Sequence, residues 1–195
     1  MSDRVWNILL SGVGGQGVLL ASEILSGAAM ASGRDVKKSE VHGMAQRGGA
    51  VTSHVRWGEM VHSPLIEEGR ADVLLSFEPG EALRWSHFLK PDGVIVTAET
   101  PIYSVLVSSG IEDYPADVVG RLEKRCNRLF TVDAMGEARE VGSARAANTL
   151  VMVGQTREAL GETDKAVACY QQALRLDPDD AVARRCLANL ENTRI

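Results

Sequence analysis

The chain is poor in sulfur and in paired histidines. Its three cysteines, Cys126, Cys169 and Cys186, stand far apart, an odd and scattered set that suits free thiols in a reducing compartment. Iron–sulfur clusters want closely spaced thiolates, so this chain is not expected to hold one. The four histidines, His42, His54, His62 and His87, form no H-x-H or H-x-x-x-H pair. No metal site is expected from this chain alone. Basic charge is short as well: 21 Lys and Arg stand against 26 Asp and Glu, a net charge of −5. That argues against a nucleic-acid binder working through phosphate contacts. No apolar run approaches the roughly 18 residues of a membrane span, and the start lacks a basic segment followed by a long apolar stretch. Neither a signal peptide nor a membrane span is expected, and the protein is read as cytoplasmic.

What is present is an ordinary globular composition, 45% hydrophobic and 24% charged over 195 residues. That is enough for one core domain and a small appendage. Val5-Trp-Asn-Ile-Leu-Leu reads as a buried strand, and Gly15 to about Met30 as a helix whose Val18, Leu19, Ala21, Ile24, Leu25, Ala28 and Ala29 pack on a sheet. Gly33 suits the end of that helix. Lys37 to Gly49 reads as a polar loop, Val51 to Trp57 as a half-buried strand, and Met60 to His62 as a hairpin return. DVLLSF, VIVTAE and RLFTVDA read as further core strands, separated by helices over Glu78–Leu89 and Ala116–Cys126, with a short helix over Ala134–Arg139. Alternating strands and helices predict a Rossmann-like α/β fold, mostly parallel, with helices on both faces.

Two stretches carry chemistry. The first is SGVGGQGVLLAS, where Gly12, Gly14 and Gly17 fit G-x-G-x-x-G between a strand and a helix. Gly12 would permit the tight turn, Gly14 a close backbone approach and Gly17 close helix packing, with a helix N-terminus offering free N–H groups. A bound dinucleotide also requires an acidic residue about 20 positions on, at the end of a second apolar strand. Asp35 and Glu40 are acidic, but no apolar strand precedes them. The loop therefore either touches a ligand or only shapes a turn. The second stretch is SEVHGMAQRGGAVTSHVRWG, which gathers Glu40, His42, Gln46 and Arg47 beside Gly48 and Gly49. Arg47 can hold a carboxylate or phosphate in a fork, and His42 can titrate near neutrality. Arg56 either faces the same side or is an exposed strand position.

Together these two stretches resemble the gamma-type subunit of the 2-oxoacid:ferredoxin oxidoreductases, in particular the small (beta) subunit of the indolepyruvate type. FEPGEALRW and NTLVMVG also resemble family segments, and the likeness runs over about residues 4 to 154. The resemblance implies oxidative decarboxylation of a 2-oxoacid, aryl pyruvates in this subtype, with coenzyme A as co-substrate and ferredoxin as electron acceptor. It implies that thiamine diphosphate, magnesium and iron–sulfur clusters sit in a large (alpha) partner subunit and that this chain carries no cofactor and no catalytic residue. Gly12, Gly14, Gly15, Gln16 and Gly17, with Glu40, His42, Gln46, Arg47, Gly48 and Gly49, would then face the partner or shape the substrate or coenzyme A channel.

After about Ser143 strand signals cease. Leu150, Val153, Gly154, Gly161, Ala166, Tyr170, Ala173 and Pro178 fit one tetratricopeptide repeat, and Leu187 and Ala188 fit the opening of a capping helix, although Arg157 stands where an aromatic is usual. The expected organisation is a family domain over 1–146 and a helical-hairpin tail over 147–195. A lone repeat must pack on the preceding domain, on a second copy or on a partner; the alternative is that these are simply the last helices of the α/β domain. Two other functions remain open at this level: a stand-alone NAD(P) or flavin oxidoreductase, and a non-enzymatic interaction module that uses the tail.

Overall fold

The computed structural model describes residues 4–42, 48–134, 163–176 and 178–193. The chain divides into two compact units, Met1–Glu99 with Asp113–Val132, and Thr100–Glu112 with Asp133–Ile195. The expected boundary at 146/147, the helix over residues 135–139, and Leu150, Val153, Gly154, Arg157 and Gly161 lie outside the described residues. No described helix is long and apolar enough to cross a membrane.

The first unit is built on a six-stranded sheet of order β2-β3-β1-β4-β5-β6. The strands are β1 (Trp6–Val13), β2 (Asp35–His42), β3 (Ala50–Gly58), β4 (Ala71–Ser76), β5 (Leu89–Ala98) and β6 (Leu129–Val132). β1, β4, β5 and β6 pair in parallel, whereas β3 runs antiparallel to both β1 and β2. Only β3 is reversed, so the expected mostly parallel sheet becomes a mixed one. Lys37 to Gly49 is not simply a loop: its first part is the edge strand β2, which forms a hairpin with β3 from Asp35↔Gly58 to His42↔Val51. Its charged residues, Asp35, Lys37, Lys38 and Glu40, read as polar because an edge strand with charged side chains keeps its open backbone from pairing elsewhere. Met60–His62 is not a strand; β3 already has a partner on each side.

Helix α1 (Val18–Ala31) covers one face, where Ile8, Leu10, Val18, Val51 and Val55 are buried. The other face carries α2 (Pro79–Trp85), a 3-10 turn at Ser86–Phe88 and α4 (Val118–Glu123) over Leu9, Leu74 and Ile95. Pro79 enters α2 at its first turn, and Glu78 caps it by accepting from the Glu81 N–H at 2.7 Å. RLFTVDA is an edge strand and not a core one, with Phe130 and Val132 exposed by 56% and 41%. Leu19 and Ile24 also face outward from α1, at 41% and 62%, contrary to the apolar periodicity. Asp72, on β4, is nearly buried and fastens three segments: it accepts from Arg4 at 2.9 Å, from the Asn7 N–H at 2.9 Å and from Lys90 at 2.7 Å.

The second unit contains α3 (Val105–Ser108), α5 (Thr163–Leu176) and α6 (Ala181–Thr193). Ala166, Tyr170 and Ala173 on α5 are buried with Ile102 and Ala183, and Leu187 packs on them. Pro178 lies in the turn between the two helices, and Asp180 starts α6 by accepting from the Val182 and Ala183 N–H groups at 2.9 and 2.8 Å. Ala188 is exposed.

The segment after β3 is held by a buried histidine. His54 Nδ1 accepts from the Ile66 N–H at 3.1 Å, so the ring must be neutral at that nitrogen. Burial, and then the nearby Arg56 charge, hold its pKa below the ordinary value. The unfolded chain therefore takes up the proton first, and stability falls as pH drops through about 6.5. Thermal unfolding should show a lower midpoint at about pH 5 than at about pH 7. His54→Gln, which keeps an acceptor without titrating, should flatten that slope.

Candidate functional site

A parallel sheet binds ligands beyond the carboxyl ends of its strands, where successive crossovers leave to opposite sides. Here that place lies between β1 and β4. From β1 the chain runs through α1 toward β2 and β3; from β4 it runs through α2 toward β5. The glycine loop sits at this point, and the side chain of Gln16 fills it. Gln16 Oε1 accepts from the Val13 N–H at 2.6 Å, and its Nε2 donates to the Phe77 carbonyl at 2.8 Å. The residue is only 9% exposed. The loop is thus stitched to the β4–α2 connection by its own glutamine.

The glycines serve this closure in ways the motif alone does not tell. A Cβ on Gly12 would lie 2.8 Å from Val18 Cγ2, 2.9 Å from Gln16 Oε1 and 3.0 Å from Phe77 Cβ. Gly12 is there for close approach and not, as expected, for turn geometry. Gly17 shows the converse: a Cβ there would meet open space, but its φ of +91° lies in the left-handed region. It starts α1 by conformation, not by close helix packing. Gly14 makes the close backbone approach, to the second motif: its N–H donates to the Gly49 carbonyl at 2.8 Å, and Gly48 N–H donates to the Gly14 carbonyl at 3.2 Å. The two separated glycine stretches are one hydrogen-bonded junction. The reversed β3 causes this, because its pairing Val13↔Ala50 sets the end of the hairpin loop beside the glycine loop.

The remaining candidates divide. Gly15, with φ +105°, is exposed beside this junction. Glu40 stands on β2 and accepts from Lys38 Nζ at 2.8 Å; Lys38 also pairs with Glu23 of α1. Lys38 therefore fastens the edge strand to the helix, and Glu40 is its partner within the strand. His42 ends β2, opposite Val51. Gln46 and Arg47 lie outside the described residues. Arg56 is committed to Asn7 Oδ1 at 2.7 Å and to the Ser63 and Leu65 carbonyls.

Sequence reading missed a row of hydroxyls. Thr52, Ser11, Ser76 and Thr97 lie in register on adjacent strands at the same end of the sheet, each at most 3% exposed. Ser11 Oγ donates to Ser76 Oγ at 2.9 Å, and Ser76 Oγ donates to the Glu78 carbonyl at 2.7 Å. Tyr114 donates to the buried Glu78 carboxylate at 2.6 Å and accepts from the Gly80 N–H at 3.1 Å. The signal available was a hydroxyl near the carboxyl end of β1, β4 and β5 and near the start of the reversed β3, visible only once the register is known. Among the described residues no group of three or more His, Cys, Asp or Glu is placed to hold a metal ion.

The family model for pyruvate ferredoxin/flavodoxin oxidoreductase matches residues 7–175. The chain belongs to that family. An indolepyruvate oxidoreductase subunit IorB from Pyrococcus horikoshii is 42% identical over 161 residues, covering 81% of this chain and 79% of the relative. The Archaeoglobus fulgidus subunit of the same name is 38% identical, covering 92% and 96%. The crystal structure of pyruvate oxidoreductase subunit PORC from Thermotoga maritima is 20% identical with a TM-score of 0.51, covering 95% of this chain and 96% of that one, and shows the same fold. The family match extends past residue 154 into α5, further than the motifs alone reach.

Gln16→Ala should cost about 1–3 kcal/mol, because it strands a buried N–H and a carbonyl. Gly12→Ala should cost a similar amount through overpacking, about 1–3 kcal/mol. Both are read from urea midpoints. The double variant should cost less than the sum, because with Gln16 truncated one of the clashing atoms is gone.

Proposed function

We propose that the chain is the small, cofactor-free subunit of an indolepyruvate (2-oxoacid):ferredoxin oxidoreductase. It supports oxidative decarboxylation of aryl pyruvates to acyl-CoA, and ferredoxin takes the electrons through the complex. The observation that carries this reading is the identity to indolepyruvate oxidoreductase subunits over most of both chains. In this reading a large subunit holds thiamine diphosphate, magnesium and the iron–sulfur clusters. Thiamine diphosphate supplies the carbanion chemistry. This chain's residues shape the surroundings. The junction of Gly12–Gly17 with Gly48 and Gly49 presents the β2–β3 loop to the partner, and Arg47 on that loop holds an anionic group of coenzyme A or of the 2-oxoacid in its fork. Lys38 and Arg56 are already committed within the chain, which favours Arg47 for that role. The tail from residue 147 serves assembly, and the complex works in the cytoplasm.

A stand-alone nicotinamide or flavin enzyme is disfavoured by the Gln16 side chain, which fills the crevice where a pyrophosphate would lie. Purification from the native source should bring down a large subunit containing iron and thiamine. In the reconstituted complex, Arg47→Ala should leave assembly intact and raise the KM for coenzyme A or the 2-oxoacid about 10-fold or more, the value of one charge-assisted hydrogen bond. Unchanged kinetics overturn the role of Arg47; absence of the large subunit overturns the reading.

A further inference from the structure

The outward face of α1 is apolar. Leu20 and Ile24 are exposed by 39% and 62%, and they share a seam with the exposed Gly27 and Ala31, at spacings of four, three and four residues. That spacing is the one used by helices that pack side by side. Flanking Leu19 and Met30 add 41% and 64% exposure. The helix contains no Lys or Arg, and its one charge, Glu23, is neutralised by Lys38 of the same chain.

Gly27 is the informative position. It lies inside a 14-residue helix, where glycine is the least favourable residue short of proline. A Cβ there would meet nothing within 4 Å, and its backbone is not left-handed. Among the described residues nothing requires a glycine there. A second backbone approaching from outside does.

We propose that α1 forms the seam of a homodimer, two copies packing antiparallel about a two-fold axis. In that arrangement Leu20 of each copy meets Ala31 of the other, and Ile24 meets Gly27, so a large side chain fits a small one at every layer. A parallel arrangement would set Leu20 on Leu20 and Gly27 on Gly27, wedging one end and leaving a gap at the other. Antiparallel packing also aligns opposite helix ends. Each copy carries a net charge of −5, so self-association requires a contact face free of unpaired charge, and this one is.

The test uses the full chain on its own, so its outcome does not depend on the large subunit. Light scattering after size exclusion should give about twice the 21.0 kDa chain mass. Gly27→Leu, which meets open space within the chain, should keep its helical signal and thermal midpoint while losing the dimer. Leu20→Cys mixed with Ala31→Cys should give an oxidative cross-link between positions 20 and 31, identified by peptide mass, whereas Leu20→Cys alone should give none at position 20. A monomeric wild type, a dimer that survives Gly27→Leu (as one built on the tail would), or a Leu20–Leu20 cross-link overturns the proposal.

Discussion

The side-chain amide of Gln16 accepts from Val13 and donates to Phe77, closing the gap between the two central parallel strands. Much of the carboxyl edge depends on that bridge. Gly12 has no side chain because the glutamine and Phe77 lie where a Cβ would point. The β4–α2 connection is held at the Phe77 carbonyl, which fixes where Glu78 caps α2 and meets Tyr114. A glycine loop of this kind usually leaves its N–H groups open to a phosphate. Here the site is filled from within, and the exposed part of the described junction is Gly15, with Gly48 and Gly49 half-buried beside it.

The second constraint is the reversal of β3. In a dinucleotide-binding sheet the neighbour of β1 runs parallel to it and ends beside the glycine loop in an acidic residue. Here β3 takes that place and begins there, at Ala50. The acidic residues follow the changed geometry: Asp35 falls at the far end of the hairpin, where it accepts from the Val61 N–H at 2.7 Å, and Glu40 is paired to Lys38. The same reversal joins Gly14 to Gly48 and Gly49 and turns two motifs into one surface. A missing acidic position and a pair of glycine stretches thus have one cause.

How much of this was legible from the residues depended on whether burial followed hydrophobicity. β1, β4 and the second half of β5 are legible because central parallel strands are apolar on both faces; the first half of β5, from Leu89 through Pro91 and Gly93, has the composition of a helix end and a turn. α2 was marked by Pro79, and the end of α1 by Gly33, which takes φ +73°. β2 was read as a loop because an edge strand carrying Lys37, Lys38 and Glu40 has the composition of one. β6 was read as core because Phe130 and Val132 are apolar, although they stand at an edge. Of the candidate site, the glycine residues were legible and their reasons were not: a motif gives spacing, but only coordinates separate Gly12, which lacks room, from Gly17, which needs a left-handed backbone. The hydroxyl row was invisible because it depends on register between strands far apart in sequence.

α1 is apolar on both sides, which is unusual for a surface helix. Ser22 and Ser26 face the sheet and are buried, while Leu20, Ile24 and Met30 face out. Small serines let the helix lie close to the strands, and Ser22 bonds back to the Leu19 carbonyl at 2.7 Å. Ser26 and Ser53, on the same buried interface, find no hydroxyl partner among the described residues. The inward face thus mixes serines with Val18, Ala21 and Leu25, and the outward face is unusually apolar. An apolar helix face in water gains nothing from its side chains, whereas covering a Leu, an Ile and a Met recovers about 1.5–3 kcal/mol for each one fully buried. An assembled state in which α1 is covered therefore accounts for the outward side of this helix, as the isolated chain does not.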